Sequence, residues 1–170
     1  MPASMTWNRK QVAQQDWLDS PAPTPVPPQL KYCEQTTGPK LMEVTLDGAA
    51  GVGASQGRWI LNGHFFYYSA AHVMPDGKPW SHIAISGMDP ESGEYRLWEF
   101  NSDGDVAAAS PGPNGLTITG EVTVLTGGTQ AFSGKAREAG QTFLYEASIT
   151  VDGNPVPYTW TWMDAPRPAK

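Results

Sequence analysis

Apolar and polar residues alternate along this chain in short runs, broken every few residues by glycine or proline. That rhythm predicts strands rather than helices. It is clearest over residues 116–125, where Leu116, Ile118, Val122 and Val124 share one parity and Thr117, Thr119, Glu121 and Thr123 the other. Such a run is a half-buried antiparallel strand. Residues 142–151 repeat the pattern with Phe143, Tyr145, Ala147, Ile149 and Val151 on one side. Residues 156–163 set Val156, Tyr158, Trp160 and Trp162 opposite threonines. Residues 41–46, 106–109 and 131–136 predict further strands. Turn chemistry lies between them, as in Asp152-Gly153-Asn154 and Pro113-Asn114-Gly115.

The densest stretch is 58–105, which holds half of the aromatic residues and all three histidines. It predicts a strand from Arg58 through Tyr68, a second over 80–88 and a third over 94–101. In the first, Asn62, His64, Phe66, Tyr68 and His72 share one parity, and Trp59, Leu61, Phe65 and Tyr67 the other. Both faces are aromatic, so the sequence leaves open which one points inward. In the second, Trp80, His82, Ala84, Ser86 and Met88 oppose Ser81, Ile83 and Ile85. In the third, Tyr95, Leu97 and Glu99 oppose Arg96, Trp98 and Phe100. Residues 48–57 are glycine, alanine and serine with little to pack, and are expected to form a mobile loop beside an opening. The sum is eight to ten strands at the spacing of a sandwich or barrel. Sequential hairpins favour a closed antiparallel up-and-down barrel, which also removes sheet edges.

Ahead of the strands, residues 6–19 read as a short N-terminal helix capped by Thr6. It either docks to bury its tryptophans or covers a barrel mouth. Residues 20–28 contain five prolines and read as an extended connector. The expected organisation is therefore a helix and proline-rich connector over 1–28 and a barrel domain over 29–170.

Composition narrows the function. A formal charge of −6, with no cluster of Lys or Arg, argues against nucleic acid and membrane-surface partners. No run approaches the roughly 20 apolar residues of a membrane-spanning helix, and residues 1–20 lack the apolar core of a signal peptide. Cys33 is the single cysteine, so no intramolecular disulfide forms. These features predict a cytoplasmic protein. The oligomeric state stays open, a homodimer included.

A barrel of this size encloses either packed side chains or one small ligand. The candidate catalytic groups are His64, His82 and Glu99, since a dry pocket shifts carboxyl and imidazole groups toward neutrality. The candidate ligand-binding residues are Trp59, Asn62, Phe66, Tyr68, Trp80, Tyr95, Trp98, Tyr145 and Trp160. Such a lining suits an apolar or aromatic molecule with one or two hydrogen-bonding handles. Against this stands the reading of each histidine as a rim or exterior position. His64 and His72 would lie roughly 26 Å apart on one strand, too far to share an ion, and His64 with His82 lacks a third ligand. No metal and no cofactor is expected. Residues 51–55 imitate a glycine-rich phosphate loop without its lysine, and no serine- or cysteine-nucleophile motif is present.

The segments Gly57-Arg58-Trp59-Ile60-Leu61-Asn62-Gly63-His64-Phe65, Asp76-Gly77-Lys78-Pro79-Trp80, 86–98 (Ser-Gly-Met-Asp-Pro-Glu-Ser-Gly-Glu-Tyr-Arg-Leu-Trp) and Ser102-Asp103-Gly104 resemble an uncharacterised bacterial family of lipocalin-like (calycin-type) β-barrels. The likeness spans roughly 36–120. It departs at Gly38-Pro39-Lys40, where such domains commonly carry a Gly-x-Trp element. The resemblance implies a closed barrel with an internal pocket and transfers no catalytic residue. Lipocalin-like barrels bind hydrophobic molecules and have been adapted to cyclase, isomerase and lyase chemistry without a cofactor. The expected function is binding of a small apolar or aromatic molecule in the cavity, with such an enzyme as the alternative.

Overall fold

The computed structural model describes residues 20–46, 48–139 and 142–164. The helix expected over 6–19 lies outside the described residues. Ten strands form one closed antiparallel barrel: β1 (Gly38–Leu46), β2 (Ala49–Ile60), β3 (Phe65–Val73), β4 (Pro79–Met88), β5 (Tyr95–Asn101), β6 (Val106–Pro111), β7 (Thr117–Thr123), β8 (Thr129–Ala139), β9 (Thr142–Val151) and β10 (Asn154–Asp164). Each strand pairs with its sequence neighbours. The ring closes where β10 meets β1, from Lys40 opposite Asp164 to Leu46 opposite Tyr158. Every backbone edge is thereby paired, as the up-and-down expectation required.

Two expectations are corrected. Residues 49–57 are not a loop but most of β2, paired with β1 on one side and β3 on the other. The inward positions of β2 include Gly51, Gly53 and Gly57, so the strand carries no hydrophobic alternation to read. The glycines are there for space. A Cβ on Gly53 would overlap the His72 imidazole, and one on Gly57 would overlap the Phe66 ring and the Thr36 carbonyl. Side chains from β3 thus fill the volume that β2 leaves empty. Gly57→Ala is expected to lower stability by about 1–3 kcal/mol through overpacking, read as a fall in the urea midpoint at constant slope. An unchanged midpoint would mean that Phe66 has room to move away.

The second correction concerns 58–68, which is not one strand. β2 ends at Ile60, and residues 61–64 turn the chain through Leu61, Asn62 and Gly63 at φ of 52°, 59° and 80°. Three consecutive left-handed residues close this hairpin, with Gly63 N–H donating to the Ile60 carbonyl at 3.1 Å. Parity is not carried through such a turn. Trp59 and Phe66, of opposite parity in sequence, sit opposite each other in the β2–β3 ladder and both point inward. Their rings meet edge to face at 5.3 Å.

A short segment not foreseen from the sequence closes one end of the barrel. A 3-10 turn, Pro28–Leu30, leads into α1 (Lys31–Gln35), and Leu30, Tyr32 and Cys33 are buried in the core. Tyr32 donates a 2.6 Å hydrogen bond to the Ser86 hydroxyl on β4. Around this plug pack Met42, Trp59, Phe66, Ala136, Phe143 and Trp162. No helix among the described residues is long and apolar enough to cross a membrane.

Candidate functional site

Above the plug the barrel is hollow. A cavity of about 280 Å³ runs from Tyr32 and Thr36 toward Leu46, Met74, Asn101 and Gln130, which lie by the hairpins at the other end. Its size is near the lower end of the roughly 300–1,000 Å³ of small-molecule pockets. The inward set is now fixed: even positions on β3, β4, β7, β8 and β10, odd positions on β5, β6 and β9.

Of the residues expected at a site, Phe66, Tyr68, Trp80, His82, Glu99, Tyr145 and Trp160 line this cavity. The others stand elsewhere. Trp59 and Tyr95 belong to the core beside the cavity, not to its lining. Trp98 points outward, because the inward parity of β5 belongs to Tyr95, Leu97 and Glu99. Asn62 and His64 sit exposed in the turn that ends β2. His64 is therefore remote in kind from His82, one in solvent and one in the interior. Tyr158 and Trp162 also line the cavity, beyond the residues expected at a site, and His72 packs behind the lining against His82. Tyr158 and Trp162 share parity with Trp160, and His72 with Tyr68, so the signal was present in the alternation.

The wall has two zones. Near one end Trp80, His82 and Trp160 form an aromatic cluster, and His72 packs against it from outside the cavity lining. The His82 ring stacks on Trp160 at 4.9 Å and 26° and on His72 at 5.6 Å and 15°. The ladder explains the grouping, since β3 and β4 set His72 opposite Trp80 and Ala70 opposite His82. Among the described residues, neither ring nitrogen of either histidine has a hydrogen-bond partner. Burial, then the neighbouring His72, lowers the His82 pKa to about 3, and burial lowers that of His72. Both rings are neutral at pH 7, each keeping one donor and one acceptor.

The second zone is polar. Tyr68 donates to the Met42 sulfur at 3.0 Å and accepts the Trp162 indole N–H at 2.8 Å. The Tyr145 hydroxyl is buried and lies near enough to the Tyr158 hydroxyl for the two phenols to interact. Glu99 lies close enough to Tyr68, Tyr145 and Tyr158 for its charge to add to burial in raising all three phenol pKa values. Burial raises that of Glu99 itself to about 7. Its flanking positions are small: Ala84 on β4 and Ala107 on β6 are its register partners. Asp105, also in the lining, is otherwise engaged, accepting from the Leu125 backbone N–H at 2.9 Å and the Asn101 amide at 3.2 Å. No three His, Cys, Asp or Glu side chains among the described residues converge as a metal-binding set.

No family model matches the chain, and no curated protein matches it. Solved structures similar to it include EF1p2_mFAP2b bound to DFHBI, at 14 % identity and a TM-score of 0.45, covering 78 % of this chain and 95 % of that one. A redesigned beta barrel matches at 12 % identity and a TM-score of 0.44, covering 79 % and 95 %. The barrel assignment rests on the strand pairing above and not on these distant likenesses.

Proposed function

We propose that this protein binds a small apolar or aromatic molecule inside its barrel. The observation that supports the reading is a hollow interior walled by aromatic rings, with both ring nitrogens of buried His82 unpaired among the described residues. A barrel interior kept only for stability is filled by side chains, and buried polar atoms find partners. The neutral probe N-phenyl-1-naphthylamine is expected to bind saturably to the wild type. Val122→Trp, which puts a large ring into the cavity from β7, should abolish that binding while leaving the melting temperature within a few degrees. Binding that survives the substitution would place the probe elsewhere and refute the reading.

One observation favours an enzyme as a second reading. A carboxyl group held near pH 7, beside three phenols and a neutral imidazole, is poised to take or give a proton. On that reading Glu99 and His82 move protons in a cofactor-independent cyclisation, isomerisation or elimination, and the aromatic wall shapes the substrate. His64, in its exposed turn, has no part in it.

A further inference from the structure

The charges that face the cavity are all of one sign. Glu99 and Asp105 line it, and no Lys or Arg among the described residues does. Asp105 is occupied by the hydrogen bonds that tie its loop together. Glu99 accepts no hydrogen bond and joins no ion pair among the described residues. The register shows why: alanines on both adjacent strands leave its carboxylate uncovered toward the interior. A buried carboxylate without a counter-charge is costly, and proteins keep one where something else supplies the charge.

Each ligand class meets this wall differently. An anion would meet Glu99 with no cationic side chain to hold it. A neutral molecule would fill the space and leave the carboxylate as it is. A cation would pair with the carboxylate and lie against the faces of electron-rich rings, the arrangement that recognises ammonium groups. Tyr68, Tyr145, Tyr158 and Trp160 supply those rings around the same space. Neutral His82 adds a donor and an acceptor to the lining but no competing positive charge.

We propose that the ligand is an organic cation, a protonated amine or quaternary ammonium on an aromatic or aliphatic body, with Glu99 as its counter-charge and the tyrosines about its head. The proposal rests on the cavity being a ligand site. The apolar remainder of the ligand lies toward Phe132, Ile118 and Leu97, which line the same space.

The test is calorimetric titration at pH 8 with three probes on one frame: 1-naphthylmethylamine, 1-naphthylmethanol and 1-naphthoate. The amine is expected to bind at least tenfold more tightly than the alcohol, and the acid most weakly. In Glu99→Gln the advantage of amine over alcohol should collapse to within about twofold. Circular dichroism and the melting curve establish that the variant is folded. An alcohol that binds as tightly as the amine, or an amine preference that survives Glu99→Gln, overturns the cation assignment while the ligand site stands. Failure of all three probes to bind folded wild-type protein overturns both.

Discussion

Trp162→Ala is expected to remove about 3–5 kcal/mol of folding free energy, a large part of the roughly 5–15 kcal/mol that a domain possesses. Trp162 is nearly fully buried at the plugged end, and its ring lies 5.6 Å from that of Phe143. Its indole N–H also donates to Tyr68, whose hydroxyl in turn donates to Met42. Truncation therefore opens a cavity next to the existing one and takes away the donor that fixes the Tyr68 hydroxyl. Packing is the larger contribution, since a lost hydrogen bond of this kind is worth about 1–2 kcal/mol. Trp162→Phe separates the two by keeping much of the ring while removing the donor. Urea unfolding of both variants gives the comparison. A cost below about 1 kcal/mol for the alanine variant would mean that the plugged end is not the packed core described above.

The second large effect is a pair of opposed pH dependences. Glu99 has its pKa raised to about 7 by burial, so the folded state holds a proton that the unfolded state releases near pH 4.5. Stability from this group is fully present below about pH 4.5, falls as pH rises, and is lost above about pH 7, an effect of order 3 kcal/mol. His82 runs the other way. With its folded pKa lowered to about 3, its contribution is present above about pH 6.5 and is lost as pH falls toward 3. Between about pH 4.5 and 6.5 the two oppose each other, and the wild type should vary little. The other ionisable groups near Glu99 are Tyr68, Tyr145 and Tyr158, all neutral across this range, with His72 in the histidine cluster and Asp105 in the same lining. Glu99→Gln should uncover the histidine slope, making the protein more stable with rising pH up to about 7. His82→Phe should uncover the opposite slope. Midpoints of chemical unfolding measured at unit pH steps decide it. Parallel curves for wild type and Glu99→Gln would mean that the carboxyl is well solvated.

Most of the architecture was legible where threonine and apolar residues alternate, as in β7, β9 and β10, because one face of each meets water and the other meets the interior. β2 was illegible for a physical reason. Its inner face is glycine at 51, 53 and 57, and the space there is filled by Phe66 and His72 from the next strand. The 61–64 turn was hidden because aromatic residues run up to it on both sides, and alternation says nothing about where a chain reverses. β5 shows the limit most sharply. Its outer residues Trp98 and Phe100 are more apolar than inward-facing Glu99, so hydrophobicity alone points the strand the wrong way. Glu99 and His82, legible only by their chemistry, stand in the cavity lining. His64 has the same chemistry and stands in a turn, because nothing in its residue type marks where the chain reverses.

The β2–β3 register also constrains how this chain can change in length. Side chains in β3 take their inside or outside placement from the ladder that pairs Trp59 with Phe66, not from the number of links in the turn before it. A single residue inserted within β3, after Phe66, would turn Tyr68 and His72 out into water and bring Tyr67 and Ser69 in. Growth by single residues is thus compatible with this architecture in hairpins such as 74–78 or 89–94, where the added link can bulge away, but not inside the wall itself.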